Sequence, residues 1–276
     1  MTAHQDKARL FRSLHTATAP LALANVWDAA SARLVQQAGA PALATTSAGV
    51  AWGLGAADGN RLDRDQALAL VARVVAAVDV PVSADIESGF GATPAEVGET
   101  VTGVIAAGAV GINIEDKHHL EGASLLRPTE EQAARIATAR AAADATGVPL
   151  YINARIDTYL FSVGDPATRL QDTLARAAAY LAAGADGVFV PGVADPVLIA
   201  ALTEVVTAPL NILAGPGSPS VPELGKLGVA RVSLGSSVAA AAYAVVRRTA
   251  VELAETGTYT ALADELGYGD INGLMS

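Results

Sequence analysis

The chain of 276 residues contains no cysteine, which excludes disulfide bonds and thiolate catalysis. It has no long run of lysine and arginine, and its formal net charge is −10. Nucleic-acid binding is therefore not expected, because such a surface has to neutralise phosphates. The longest apolar stretch near the C-terminus, Val238 to Val246, is shorter than the roughly 20 residues that cross a bilayer, so no membrane span is expected either.

Targeting signals are also missing from the start of the chain. Residues Met1 to Ser13 mix charged and apolar side chains and do not resemble a signal peptide. We therefore expect a cytoplasmic protein. Hydrophobic residues make up 51% of the chain and charged residues 17%, which is enough apolar material for one large domain or two small ones.

Short apolar runs alternate with longer helical patterns along almost the whole chain, which is typical of βαβ units and a parallel sheet. Eight strands are predicted: Leu21 to Asn25, Ala42 to Thr46, Val82 to Asp85, Gly111 to Glu115, Leu150 to Arg155, Gly187 to Val190, Leu210 to Leu213 and Arg231 to Leu234. Eight helices are predicted between and after them: Ala29 to Ala38, Arg64 to Val78, Pro94 to Ala107, Glu130 to Thr146, Pro166 to Ala183, Pro196 to Val206, Val221 to Lys226 and Val238 to Glu255.

Eight such units in about 250 residues predict an α/β protein with a (β/α)₈ TIM barrel. An open, doubly wound sheet of eight strands is the alternative. No linker-like change of composition divides the chain, so we expect one domain over residues 1–276. From about residue 238 it continues as a helical extension, and Tyr259 to Ser276 predicts a short extra helix that packs on a neighbouring subunit.

Carboxylates follow several predicted strands. Asp85 and Glu87 lie at the end of the third strand, and a strand period of two would place them on one side if the strand continued that far. Glu115 ends the fourth strand, and Asp58 lies in the loop after the second. In a barrel of this type, the loops after the strands carry the chemistry.

Four carboxylates at one end of a barrel would repel each other unless a cation lay among them. Oxygen ligands favour Mg²⁺, with Mn²⁺ as a possible substitute, and the lack of cysteine and of a histidine pair at zinc spacing disfavours zinc. The alternative is that each acid caps a helix or pairs with Lys117, Arg61 or Arg64.

The fifth strand and the segment after the second strand predict anion contacts. Asn153, Arg155 and Asp157 share one face of the fifth strand, where Arg155 could bind a substrate carboxylate through two hydrogen bonds. An ion pair of Arg155 with Asp157 or Glu115 is the alternative. The segment Thr45 to Val50 is small and polar, and it either presents backbone N–H groups to an oxyanion or forms a simple tight turn.

Taken together, these segments resemble the isocitrate lyase and phosphoenolpyruvate (PEP) mutase superfamily along nearly the whole chain. The matching motifs are Thr45 to Gly59, Ala84 to Gly91 and Gly111 to Lys117, supported by Asn153 to Asp157. The resemblance implies that Asp85 binds Mg²⁺ directly, while Asp58, Glu87 and Glu115 act through water. It also implies a homotetramer in which the last barrel helix is exchanged between subunits.

The same resemblance implies that a small 2-oxo or 2-hydroxy acid binds at this end of the barrel. The residues expected to contact the substrate are Thr46, Ser47, Ala48, Gly49, Asn153, Arg155 and Asn211. Those expected to act in catalysis are Glu115, Arg155, His118 and His119.

The chain departs from the superfamily in the loop after the fourth strand. The lyases carry a catalytic cysteine there, whereas this loop reads Lys117 to Arg127 without one, so His118 or His119 is the candidate proton donor. Alternatively, both histidines are simply polar loop residues. The mutases have lysine and Asn/Thr where this chain has Glu121 and Ala123, and a histidine where it has Pro191.

These features predict a Mg²⁺-dependent lyase that cleaves a C–C bond of a small acid through an enolate. P–C bond chemistry on phosphonopyruvate or PEP is an alternative, and so is hydrolysis of an oxaloacetate-like acid. A non-catalytic protein that binds an oxo acid is the alternative from another class. A phosphate-binding barrel that uses residues 214–217 and 235–237 is disfavoured, because proline removes a donor.

Overall fold

The structure of the chain is a computed structural model that describes residues 2–119 and 125–276. Its eight strands are β1 (Leu21–Leu23), β2 (Leu43–Ala44), β3 (Val82–Asp85), β4 (Gly111–Glu115), β5 (Tyr151–Arg155), β6 (Gly187–Val190), β7 (Leu210–Leu213) and β8 (Arg231–Ser233). The helices are α1 (Ala3–Leu14), α2 (Ala29–Gln37), α3 (Ser47–Gly53), α4 (Arg64–Ala77), α5 (Pro94–Ala106), α6 (Thr129–Thr146), α7 (Arg169–Ala182), α8 (Pro196–Val205), α9 (Val221–Lys226), α10 (Ser237–Glu255) and α11 (Tyr268–Met275).

All eight strands run parallel in a single sheet, in the order β1-β8-β7-β6-β5-β4-β3-β2. The two outer strands approach each other through Val26, which forms a parallel bridge with Thr45 and accepts a hydrogen bond from the N–H of Thr46. This bridge closes the sheet, so the fold is the predicted (β/α)₈ barrel rather than the open sheet.

The predicted strands and helices are all present, with ends that differ by at most three residues. Thr93 accepts a hydrogen bond from the N–H of Glu96 at the start of α5, and Asp195 accepts one from the N–H of Val197 in α8, as N-cap residues before a proline do. The helix predicted from Pro166 begins at Arg169 instead, because residues 165–168 form a turn around Asp165.

Helix α1 was not predicted, and it packs against the end of the barrel where the strands begin. Phe11 of α1 is fully buried beneath Gly111, where an added Cβ would lie 2.7 Å from its ring. The Phe11 ring meets Tyr151 of β5 edge-on, and His15 stacks on the same tyrosine at a centroid distance of 3.9 Å. The floor of the barrel is thus closed by aromatic contacts, and the other end carries the loops that follow the strands.

The last barrel helix, α10, contributes little to the core of its own chain. Only Ala239 of its 19 residues is buried, and Val246 is 64% exposed. Ala22, in the middle of β1, is also exposed. A short 3₁₀ turn at Thr260–Leu262 and helix α11 follow α10, which agrees with the extra helix predicted for the tail. Among the described residues, no helix is long and apolar enough to cross a membrane.

Candidate active site

The carboxylate of Asp85 lies where β3 and the start of α3 meet. The Asp85 N–H donates to Thr45 Oγ1 at 2.9 Å. Its Oδ2 accepts from the Ser47 N–H at 3.3 Å, and its Oδ1 accepts from the Glu87 N–H at 3.2 Å. Backbone donors therefore fix the direction of this carboxylate at the mouth of the barrel.

Glu87 lies beside Asp85 for a different reason from the one predicted. Strand β3 ends at Asp85, and Glu87 has a φ of +52°, which lies in the left-handed region. The expectation of a continued strand was therefore wrong, and a tight turn brings the side chain to the mouth instead. Glu87 Oε2 accepts the N–H of Asn60, and the Asn60 amide donates to Ser88 Oγ at 2.5 Å. Strained backbone of this kind clusters at functional sites.

The pKa values of both carboxyl groups are high. Burial is the largest cause; it raises the pKa of Glu87 to about 8, and the charges of Asp58, Asp85 and Glu115 contribute. Burial also raises the pKa of Asp85 to about 6, where Arg155 opposes the shift and Glu115 and Asp58 add to it. Neither carboxylate has an ion-pair partner among the described residues. Ionising both acids is therefore unfavourable unless a cation binds beside them.

Glu115 differs from these two acids because it is neutralised. Its Oε2 lies 2.8 Å from Arg155 Nη1, and its Oε1 lies 2.8 Å from His119 Nε2. Arg155 also donates from Nε to Asp157 Oδ1 at 2.7 Å and from Nη2 to Asp157 Oδ2 at 3.1 Å. Both ion pairs proposed as alternatives for Arg155 are present, and they hold its guanidinium at the mouth.

The protonation of this group follows from its contacts. Burial alone would raise the pKa of Glu115, but Arg155 and His119 reverse the shift and keep its pKa low. Burial raises the pKa of Asp157 to about 7 despite the contact with Arg155. The pKa of Arg155 is raised, since Glu115, Asp157 and Asp85 outweigh the effect of burial. Arg155 thus stays charged at any working pH.

The two histidines of the following loop lie in different surroundings. His119 faces Glu115, and its side chain is only 11% exposed. His118 has its pKa lowered by burial and by the charge of Arg127. The stem of the loop is held by the His118 N–H, which donates to the Leu125 carbonyl. Glu121 and Ala123, where the sequence differs from the mutases, lie outside the described residues.

The residues after β2 form a helix rather than the predicted loop or turn. Thr46, Ser47, Ala48 and Gly49 are all buried at the start of α3. A Cβ on Gly49 would lie 2.8 Å from Thr46 Cγ2 and 2.9 Å from Trp27 Cβ, so this first turn is closely packed. The first N–H groups of a helix have no partner within the helix. In α3 the Ser47 N–H donates to Asp85, and the N–H groups that follow it in the first turn could face an anion.

The other predicted substrate residues lie inside the barrel. Asn153 Nδ2 donates to Asn113 Oδ1 at 2.9 Å. Asn211 is 1% exposed; its Oδ1 accepts from Ser233 Oγ, while its Nδ2 has no partner among the described atoms. Both amides therefore belong to a polar network in the interior of the barrel, below the carboxylates.

The donors at the mouth suit a hard cation. No group of three or more His, Asp or Glu side chains within residues 2–119 and 125–276 is arranged to hold a metal ion. Mg²⁺ does not require such a group, because it usually keeps several waters and takes one or two carboxylates. Asp85 and Glu87 have raised pKa values and no ion-pair partner among the described residues, and Asp58 lies close enough to affect both values; these features fit such a site.

A cavity of about 590 Å³ opens beside this site. Its lining includes Asn60, Phe90, His119 and Arg127, but neither Asp85 nor Glu87. It therefore reaches the site from the side of His119. This position is suitable for the part of a substrate that extends away from the carboxylates.

Sequence reasoning missed some of the residues that shape the site. Asn60, with a φ of +55°, follows an Asp-Gly pair, and this turn signal could have identified it. Asp116 lies one layer further out: it accepts the Asp157 N–H at 3.0 Å and is held by Arg176 and Tyr180. No local pattern in the sequence indicates these long-range contacts.

Comparison with known proteins agrees with this geometry. The family model of phosphoenolpyruvate phosphomutase matches residues 11–254. An uncharacterized protein of Mycobacterium tuberculosis is 39% identical over 227 residues, which cover 82% of this chain and 81% of that protein. Oxaloacetate decarboxylase 2 of Pseudomonas fluorescens is 31% identical (84% and 78% covered), and so is 2-methylisocitrate lyase of Escherichia coli (76% and 70% covered).

A crystal structure of a Burkholderia cenocepacia protein, provisionally described as a lyase/mutase, is 42% identical to this chain. The match covers 99% of this chain and 97% of that one, with a TM-score of 0.92. The chain therefore belongs to the phosphoenolpyruvate phosphomutase family, within the isocitrate lyase/PEP mutase superfamily.

Proposed function

We propose that this protein is a Mg²⁺-dependent lyase that cleaves a C–C bond in a small 2-hydroxy or 2-oxo acid. One observation carries the proposal: Asp85 and Glu87 have raised pKa values and no cationic partner among the described residues, and they lie next to an Arg155 that remains charged. Such a mouth can hold a cation and an organic acid together.

Asp85 would hold the ion directly, and Asp58, Glu87 and Glu115 would hold its water ligands. Mn²⁺ could replace Mg²⁺ at these oxygen donors. When bound, the ion would neutralise the charge that develops on the oxo-acid oxygen as the neighbouring bond breaks and an enolate forms.

The acid itself would bind between α3 and β5. The N–H groups of Ser47 and Ala48 begin α3, where Thr46 and Gly49 fix the turn. The Ser47 N–H donates to Asp85, so Ala48 would supply the N–H for the carboxylate and Ser47 would border it. Arg155 would contribute its charge from the opposite side, although its guanidinium already contacts Glu115 and Asp157. Asn153 and Asn211 would donate from the barrel interior.

His119 is the residue that would deliver or remove the proton. It lies within hydrogen-bond distance of Glu115, which orients the ring, and it borders the cavity beside the site. This arrangement could replace the cysteine that the chain lacks. His118 is not among the residues that line this cavity and is the weaker candidate.

The relatives support cleavage of a C–C bond, since one is an oxaloacetate decarboxylase and another a 2-methylisocitrate lyase. The family model of a phosphomutase favours P–C chemistry on phosphonopyruvate or PEP as a second candidate. Hydrolysis of oxaloacetate and oxo-acid binding without turnover are further alternatives that the same site would allow.

The deciding experiment is a panel of small 2-oxo and 2-hydroxy acids, oxaloacetate among them, with Mg²⁺ and direct detection of products. Release of a 2-oxo acid that is lost in Asp85→Ala supports the proposal. Phosphate release from phosphonopyruvate would select the second candidate. Sub-millimolar binding of oxalate without turnover of any acid would select a binding protein, and no Mg²⁺ binding would reject the metal site.

The proposal includes a homotetramer in the cytoplasm. The tetramer is supported by two exposed surfaces. Helix α10 buries only one residue in its own chain, and Ala22 of β1 is exposed. An exchange of α10 between two subunits would cover both surfaces.

A further inference from the structure

A fully buried arginine lies in the barrel interior, below the carboxylates. Arg231 begins β8 and has no exposed surface. Its register with Leu21 on β1 and Asn211 on β7 places it in a layer of inward-facing positions. Most barrels fill such positions with branched apolar side chains, so a charge here needs a physical reason.

Arg231 has no carboxylate partner among the residues that the structure describes. Its hydrogen bonds are with neutral oxygens: Nη2 donates to Asn113 Oδ1 at 3.4 Å, and Nε donates to Ser233 Oγ at 3.3 Å. Its Nη1 has no partner among the described atoms. The charge of Asp85 acts on Arg231 without a direct ion pair. A buried cation without a directly paired counter-charge is destabilising, and such a cost is expected to persist where the group serves function.

The two hydrogen bonds of Arg231 connect it indirectly to Asn153 and Asn211, the two amides that are proposed to bind substrate. Asn113 Oδ1 accepts from Arg231 and also from Asn153 Nδ2. Ser233 Oγ accepts from Arg231 and donates to Asn211 Oδ1 at 3.3 Å. Strands β8 and β4 lie on opposite sides of the barrel, so the guanidinium ties one wall to the other.

These bonds also decide which way each amide is turned. An arginine can only donate, so Asn113 must present its oxygen to Arg231, and Asn153 must then present its NH₂ group to Asn113. The hydroxyl of Ser233 accepts from Arg231 and therefore gives its own proton to the oxygen of Asn211. This leaves Asn211 Nδ2 as a buried donor with a fixed direction.

We propose that Arg231 is a positioning residue that presets Asn153 and Asn211, through Asn113 and Ser233, to bind the carboxylate of the substrate. The proposal rests on the proposed function, because it assumes that an organic acid binds at this mouth. The planar fork of the guanidinium is essential to it: two donors diverge to two acceptors, which a lysine ammonium cannot reproduce in the same geometry.

The test compares Arg231→Met and Arg231→Lys with the wild-type protein by calorimetric titration of Mg²⁺ alone and then of oxalate at saturating Mg²⁺. We expect oxalate affinity to fall about tenfold in both variants, as it does when groups that orient ligands are removed. Mg²⁺ affinity should not fall: it should stay within about twofold in Arg231→Lys, which keeps the charge that acts on Asp85, and should stay equal or rise in Arg231→Met, which removes it. Wild-type oxalate affinity in either variant would overturn the proposal.

A matched control separates this effect from loss of stability. Arg140 is also largely buried and pairs with Asp186 at 2.5 Å, away from the mouth. Arg140→Met should lower the thermal midpoint and leave oxalate affinity unchanged. If it weakens oxalate binding as much as Arg231→Met does, the effect is a general consequence of destabilisation and the positioning role is wrong.

A second readout does not depend on any ligand. In the wild-type protein, the side-chain NH₂ groups of Asn113, Asn153 and Asn211 should give dispersed NMR signals that exchange slowly with solvent. Arg231→Met should shift or average these signals, while Arg140→Met should not. Unchanged signals in Arg231→Met would show that Arg231 does not position these amides. If the wild-type protein binds no oxalate but Arg231→Met still shifts these signals, the proposed function is rejected and the positioning of the amides by Arg231 is retained.

Discussion

Glu87 and Asp85 are the residues whose protonation decides whether the mouth can hold a cation. With pKa values of about 8 and about 6, Glu87 is mostly protonated at pH 7 and Asp85 mostly ionised. Mg²⁺ requires the ionised forms, so binding at pH 7 should release about one proton. Calorimetric titration in buffers of different ionisation enthalpy measures this number, which should fall towards zero in Glu87→Gln and at pH 9.

The same groups give the metal-free protein a defined pH dependence. The ordinary pKa of a glutamate is 4.5, whereas folded Glu87 ionises at about 8. Between these values the unfolded chain loses the proton first, so the contribution of Glu87 to stability is lost as the pH rises from about 5 to 8. Saturating Mg²⁺ should remove this loss. A metal-free free energy of unfolding that rises over this range in the wild type relative to Glu87→Gln would contradict the assignment.

His118 and His119 are adjacent in sequence but have different neighbours, so their substitutions should differ. His119→Asn removes the group bonded to Glu115 and should lower turnover about 10²-fold, the usual effect of losing a general acid or base. His118→Asn is the matched control and should stay within about twofold of wild type. The substrate is the acid that the panel identifies. Equal turnover in the two variants would remove His119 from the mechanism.

The acids at the strand ends and Arg231 show which single residues the sequence can and cannot identify. The acids at the strand ends were predicted because strand ends are visible in the apolar pattern. Arg231 was not, since an arginine that opens an apolar strand does not indicate whether it points inward or outward. Its contact with Asn113 joins residues 118 positions apart, which no local pattern encodes.

The turn between β3 and α5 is the element that places Glu87. Gly89 in this turn has a φ of +97°, and an added Cβ would lie 2.9 Å from Val97 Cγ2 of α5. Gly39 has a similar φ of +92° but nothing within 4 Å of an added Cβ. Both alanine variants therefore carry the cost of a left-handed backbone, about 1 kcal/mol, but only Gly89→Ala adds a steric clash.

Gly89→Ala should accordingly lose about 2 kcal/mol more than Gly39→Ala in chemical denaturation, which is typical of overpacking. It should also weaken Mg²⁺ binding about tenfold, because the turn shifts Glu87, while Gly39→Ala binds Mg²⁺ normally. Equal losses of stability and equal Mg²⁺ affinities in the two variants would show that this turn does not hold the site in place.

Helix α3 shows why one element was missed. Its sequence, SAGVAWG, contains two glycines, and no side chain makes a capping hydrogen bond at Thr46. Local propensity therefore favours a loop. Burial of Val50 and Ala51 against Leu62 outweighs this preference, and such a contact exists only once the chain has folded.

The proposed tetramer depends on the exposed apolar surface of helix α10. The exposed apolar residues of α10, Val246 among them, would be covered in a tetramer. Val246→Asp should shift the protein to smaller species in sedimentation or light scattering, because it places a charge in the interface. Val197 of α8 is 77% exposed, and Val197→Asp is the control that should stay tetrameric. A monomeric wild type would disprove the assembly.

The sequence by itself determined the repeating order of eight strands and helices, because apolar periodicity and helix caps act over a few residues; the bridge between Val26 and Thr45 in the tertiary structure decided that the sheet closes into a barrel. It also determined that carboxylates gather at the strand ends, since parallel strands all end on one side of a barrel. Only the tertiary structure decided which acids are paired with cations: Glu115 meets Arg155 and His119, while Asp85 and Glu87 have no ion-pair partner among the described residues and their pKa values are raised. Such pairings join distant parts of the chain, and their energies depend on burial that exists only after folding.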